Sequence, residues 1–169
     1  MTTEHRRLLA LLDEAFDRKA WHGPTLRGAL RGVTAGEAAW RPAAGRHSVW
    51  ELAVHCAYWK YAVRRRITGE KRGSFPHPGS NWFPRPKNLG DAAWRADLDL
   101  LSEQHRLLRQ AVAALPASAL GASPAAERRT HMIRGIAAHD LYHAGQVSLL
   151  KRMAAGGRRS RAASASGLA

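Results

Sequence analysis

The sequence predicts an all-α protein, an up-down bundle of four main helices with long connections. Apolar residues recur at three- and four-residue spacing along most of the chain, and no stretch of useful length alternates like a half-buried strand. The helical runs are separated by segments rich in proline and glycine. At 169 residues with a 45% hydrophobic fraction, one domain can bury a sizeable core. We read residues 1–155 as that domain and residues 156–169 as a basic Gly/Ser/Ala-rich tail without fixed structure.

The first helix is expected over residues 3–20, where Leu8, Leu9, Leu12, Ala15 and Phe16 share one face and charges share the other. Gly23 and Pro24 interrupt it, and a short helix follows through Leu26 and Leu30. Thr34 and Glu37 have the spacing of a capping box, in which a Thr side chain and a Glu side chain satisfy each other's backbone N–H groups. Ser48 and Glu51 repeat that spacing and should start a long helix reaching about Thr68. Residues 71–90 hold four prolines and three glycines, and so form a long irregular connection of the kind that often carries function. A third long helix runs through Trp94, Leu98, Leu101, His105 and Leu108 until Pro116 stops it. After a loop at 117–128, the last helix is expected from about Thr130 to Met153.

Composition excludes several classes. No apolar run approaches the roughly 18–20 residues that cross a bilayer, and the N-terminus lacks the apolar core of a signal peptide. A cytoplasmic protein without membrane contact is expected. One cysteine, Cys56, rules out an intramolecular disulfide framework. The net charge of +14 invites a nucleic-acid reading. Yet the charge is spread along the chain, with local concentrations at Arg64–Arg66 and in the tail at Arg158, Arg159 and Arg161. No zinc-finger spacing, phosphate loop or aromatic RNA-binding signature goes with it. We therefore expect a solvated basic surface and no specific nucleic-acid partner.

The residues that carry chemistry are histidines. His139 and His143 are four apart on a helix and so share a face with Met132, Ile136, Gln146 and Leu150. His55 sits on a similar apolar face with Leu52, Trp59 and Ala62. Three neutral imidazoles with an open position would make a catalytic type of metal site. Spacing alone leaves this reading level with hydrogen-bonded core histidines. Tyr142 and Gln146 flank the pair and could orient a ligand or simply pack, and Trp59 belongs to the same surroundings. Asp140 points about 100° away from His139 and reads as a surface or capping residue. Cys56 reads as a core thiol, and Trp82 as a border of the entrance. The pair is not in an HExxH setting, since Asp140 follows His139. His5, His22, His47, His77, His105 and His131 have no comparable partner spacing.

Three segments resemble one known family. AHDLYHAGQVSLLKR (138–152) is similar to the last-helix signature of the DinB/YfiT-like metalloenzyme superfamily. RPAAGRHSVWELAVHCAYWKYAVRRRITGE (41–70) and DAAWRADLDLLSEQHRLLRQAVAAL (91–115) resemble its second and third helix regions. The likeness covers nearly all of the chain except the tail. It implies a four-helix bundle, commonly a homodimer, with a three-histidine site for a divalent metal such as zinc or nickel. By motif position the ligands would be His55, His139 and His143. Some members of that superfamily transfer thiols and use a low-molecular-weight thiol such as bacillithiol as cosubstrate. The resemblance therefore implies a metal-dependent enzyme acting on a small molecule, with thiol S-transfer as the leading reaction. A metal-dependent hydrolase is the alternative within enzymes. A non-catalytic metal-binding or stress-response scaffold is the alternative outside them.

Overall fold

The computed structural model describes residues 1–85 and 88–166, with side chains as far as residue 156. Among these residues there are six α-helices, one 3-10 turn and no strand: α1 (Thr3–Phe16), α2 (Leu26–Leu30), α3 (Ala35–Ala39), α4 (Val49–Thr68), α5 (Asp91–Ala114), the turn at Ala117–Leu120, and α6 (Pro124–Ser166). Four of these are long, and α1 and α4 each pack against both α5 and α6. The short α2 lies on α6, and α3 lies on α4. Among the described residues no helix is long and apolar enough to cross a membrane.

Local chemistry sets the helix ends. Both capping boxes form, Thr34 with Glu37 and Ser48 with Glu51, so α3 and α4 begin where two side chains satisfy free N–H groups. Helix α4 stops at Gly69, whose φ of 79° is cheap for glycine and strained for other residues. Three boundaries differ from the sequence expectation. Helix α1 ends at Phe16, four residues early, with Asp17 N–H closing on the Asp13 carbonyl. Helix α6 begins at Pro124, because Ser123 Oγ accepts the Ala126 N–H and proline suits the first helical turn. Helix α6 also runs on to Ser166, past the end expected near Met153. Extending an existing helix needs no new nucleus, and alanine and arginine favour the helical state. Pro86 of the proline-rich connection and residues 167–169 of the tail lie outside the described residues.

Two apolar clusters fill the interior. One gathers Leu8, Leu9, Leu12, Val63, Ile67, Leu108, Val112, Ile133, Ile136 and Ala137, and is aliphatic throughout. The other gathers Phe16, Leu26, Trp50, Leu52, Cys56, Phe83, Trp94, Leu101 and Val147, and is rich in aromatic rings. The 71–90 connection is fastened to the second cluster. Asp97 is the fastener: it accepts from Trp50 Nε1 at 2.6 Å and from His77 Nε2 at 2.7 Å, and it pairs with Arg85. Phe75 and Phe83 pack their rings around Tyr58 on α4. This anchoring lays Asn81 and Trp82 against the middle of α4, beside His55.

Candidate metal centre

His139 and His143 lie one turn apart on α6, and α4 presents His55 to them. Their Nε2 atoms converge: His55 to His139 at 3.0 Å and His143 to His139 at 3.1 Å. His55 and His143 are buried and His139 is nearly so. Each outer nitrogen of the first and last ring has a fixed partner. His55 Nδ1 lies 2.8 Å from the Asn81 carbonyl, which can only accept, so that nitrogen carries the proton. His143 Nδ1 donates to Gln146 Oε1 at 2.7 Å. Asn81 reaches this position with φ of 63°, a left-handed conformation that asparagine tolerates better than most residues. Its side-chain Oδ1 accepts Trp59 Nε1 at 2.9 Å, tying the loop to α4 a second time.

Electrostatics keep the three rings neutral. Burial lowers the His55 pKa to about 4, aided by the neighbouring His143 and His47. Burial likewise takes His139 to about 3, with His143, His55 and Lys60 adding to the effect. The His143 pKa is lowered by burial, against the opposing effect of its hydrogen bond to Gln146. At neutral pH the imidazoles are therefore in the form that binds metals.

The donor set fits a divalent ion. With Nδ1 protonated on His55 and His143, their Nε2 atoms are bare lone pairs facing a third ring nitrogen. One proton on His139 Nε2 could serve only one of them well, whereas one cation would serve all three. Two nitrogens held about 2.0–2.1 Å from one tetrahedral ion lie about 3.3 Å apart, close to the separations here. Ligand atoms of His55, His139 and His143 all lie within 4.8 Å of one another, so this group could hold a metal ion.

A cleft of about 660 Å³ opens on the His143 side. Pro42, Leu52, Trp82, Leu149, Leu150 and Met153 give it apolar walls, and His143 and Gln146 are among its polar lining residues. Trp82 is stacked between two imidazoles, with His47 at 3.6 Å and His55 at 3.9 Å between ring centroids. His47 also lines the cleft, and its Nδ1 lies 3.4 Å from Glu51 Oε2. Among the described residues that line it, Arg46 is an arginine and none is an aspartate or glutamate. Glu51, though near, is engaged at both oxygens by Arg41.

Each residue singled out in the sequence has a definite place. Gln146 holds His143, Trp59 holds Asn81, and Trp82 borders the cleft as expected. Tyr142 is 64% exposed and sets its ring edge-on to His143 at 5.0 Å, so it stands at the mouth. Cys56 is a wholly buried thiol. Arg64 pairs with Glu70 and Arg66 lies over Trp59, so neither lines the cleft. Asp140 is a correction: it is fully buried and ion-paired with Lys60. A lone acidic residue on a helix reads as a surface group, but α4 supplies a buried cation opposite it. Asn81 and Lys60 were not singled out; of the histidines without comparable spacing, His47 faces Glu51 and His105 faces Lys60 and Asp13.

A family model for the DinB superfamily matches residues 18–147. The chain belongs to that superfamily. The matched segment contains all three histidines and leaves out α1. Comparisons with curated proteins and with solved structures find no match.

Proposed function

We propose that this DinB-superfamily chain is a divalent-metal-dependent enzyme that transfers a small thiol to an electrophilic carbon. The observation that carries the reading is the meeting of three neutral Nε2 atoms beside a cleft without carboxylates. His55, His139 and His143 would hold the ion, with Asn81 and Gln146 fixing two of the rings. A divalent ion bound there would supply Lewis acidity, which lowers the pKa of a bound thiol or water.

The remaining work falls to the cleft. Its apolar walls exclude water from the reacting sulfur. Arg46 attracts an anionic group on the thiol or the electrophile, since no lining carboxylate competes for it. His47 keeps Nδ1 toward Glu51, which leaves Nε2 to take the proton that the thiol gives up. Sulfur then forms the new C–S bond, the leaving group departs with its electron pair, and the proton on His47 Nε2 passes to it. Water in place of the thiol gives the hydrolase alternative, which turnover without any added thiol would reveal. Zinc or nickel as the metal, an up-down order of the four long helices and a homodimer complete the proposal.

Elemental analysis of the purified protein tests the reading first. Wild type should carry one divalent ion per chain, and His143→Ala should carry almost none. The metal-loaded protein should then consume a chloronitroarene only when a small thiol is present. Metal without turnover across a panel of thiols would favour the scaffold reading. Absence of metal even after addition of zinc and nickel would end both.

A further inference from the structure

The Lys60 and Asp140 side chains form an ion pair that is wholly buried at both ends. Taking two charges out of water is costly, and a well-packed apolar pair of similar volume is often at least as stable. Stability gives no reason for the pair, but its surroundings do. Lys60 Nζ donates to Asp140 Oδ2 and faces His105 Nδ1 at 3.5 Å. His105 Nε2 in turn faces Asp13 Oδ1 at 3.7 Å. The ammonium is held from two sides, and it fixes one carboxylate oxygen.

The second oxygen, Asp140 Oδ1, is buried and has no hydrogen-bond partner among the described residues, and the same is true of His139 Nδ1. A ring nitrogen of His139, a carboxylate oxygen of Asp140 and Cys56 Sγ lie within 4.8 Å of one another. Two hydrogen bonds sharing one water span about 4.5–5 Å. His139 Nε2 is turned to His55 and His143, and Asp140 Oδ2 is taken by Lys60. Nδ1 and Oδ1 are the atoms left to connect. The other two imidazoles already have their acceptors in Asn81 and Gln146. Without one, His139 can carry its proton on Nε2 and so block the centre where a cation needs a lone pair.

We propose that Asp140, locked by Lys60, is the positioning residue for His139, accepting its Nδ1–H through one water and leaving Nε2 bare toward His55 and His143. The inference rests on the metal-site reading of the three histidines. It differs from a core-packing role because it acts on one ring's tautomer rather than on the fold.

The test uses the full chain and the Lys60→Met/Asp140→Leu double variant, which removes both charges at similar volume. Zinc affinity is measured by competition with a chelating dye, and the absorption spectrum is recorded with Co²⁺ in the site. Loss of an acceptor behind a ligating histidine should weaken zinc about 10- to 100-fold and change the Co²⁺ bands, with the fold intact by circular dichroism. Cys56→Ala should leave both readings unchanged. A folded double variant that binds zinc within twofold of wild type overturns the proposal. Long-range ¹H–¹⁵N correlation on metal-free wild type gives a second measurement that needs no variant. His139 is expected as the Nδ1–H tautomer, and the Nε2–H tautomer overturns the proposal even if the double variant does not fold. Wild type that takes up no zinc defeats the metal reading, while the tautomer still decides the part played by Asp140.

Discussion

The two halves of the interior bury different chemistry. The aliphatic cluster around Leu12, Leu108 and Ile133 is built of hydrocarbon side chains, and the polar group buried next to Leu8 and Leu9, His5, is satisfied by the Leu115 carbonyl. Beside the aromatic cluster around Trp50 and Trp94 lie Lys60, Asp140 and three imidazoles, each needing a specific partner. Apolar packing is non-directional and tolerates small changes of shape. A buried charge or lone pair tolerates none unless its partner moves with it. The first half therefore holds the helices together, and the second half fixes where particular atoms stand.

The largest expected effect lies in the polar half. Asp140→Ala alone leaves the Lys60 ammonium buried and uncompensated, and should destabilise the protein by about 3–5 kcal/mol. Urea denaturation measures it, and a loss below 1 kcal/mol would mean that Lys60 finds another partner. Acid should produce the next effect in metal-free protein. Unfolded histidine protonates near pH 6.5, whereas folded His55 does so only at about 4. Between those values the unfolded chain binds more protons, so stability falls as pH falls through that window. His55 by itself contributes about 3 kcal/mol to the drop. Urea midpoints recorded from pH 7 to 4.5 should decline steadily, and a flat profile would contradict the burial of a neutral ring. The smallest effect belongs to the aliphatic half. Ile133→Val, at a fully buried position, should cost about 1 kcal/mol and leave zinc uptake unchanged. If it altered zinc uptake, the two halves would not be independent.

What could be read in advance divides along the same line. The Ser48–Glu51 and Thr34–Glu37 caps were legible because three residues of local sequence decide them. His139 and His143 were legible because one helical turn brings them together whatever the rest of the chain does. The Lys60–Asp140 pair joins positions 80 apart, and on either helix alone a single charge reads as surface. Asn81 and Trp82 come from an aperiodic connection, so only the anchoring of that loop through Asp97 gives them a place. The early start of α6 was signalled by Ser123 and Pro124, a cap followed by a first-turn proline, and that signal was there to be used.

The meeting of His55 with His139 joins positions 84 residues apart. A ligand held at that junction is a cross-link between α4 and α6, closing a loop that contains all of α5. Such a site does not form in the unfolded chain, so its binding energy adds to folding energy and grows with the logarithm of free ligand concentration. The melting temperature of this protein thereby becomes a gauge of site occupancy, readable with any candidate ion and before any substrate is known.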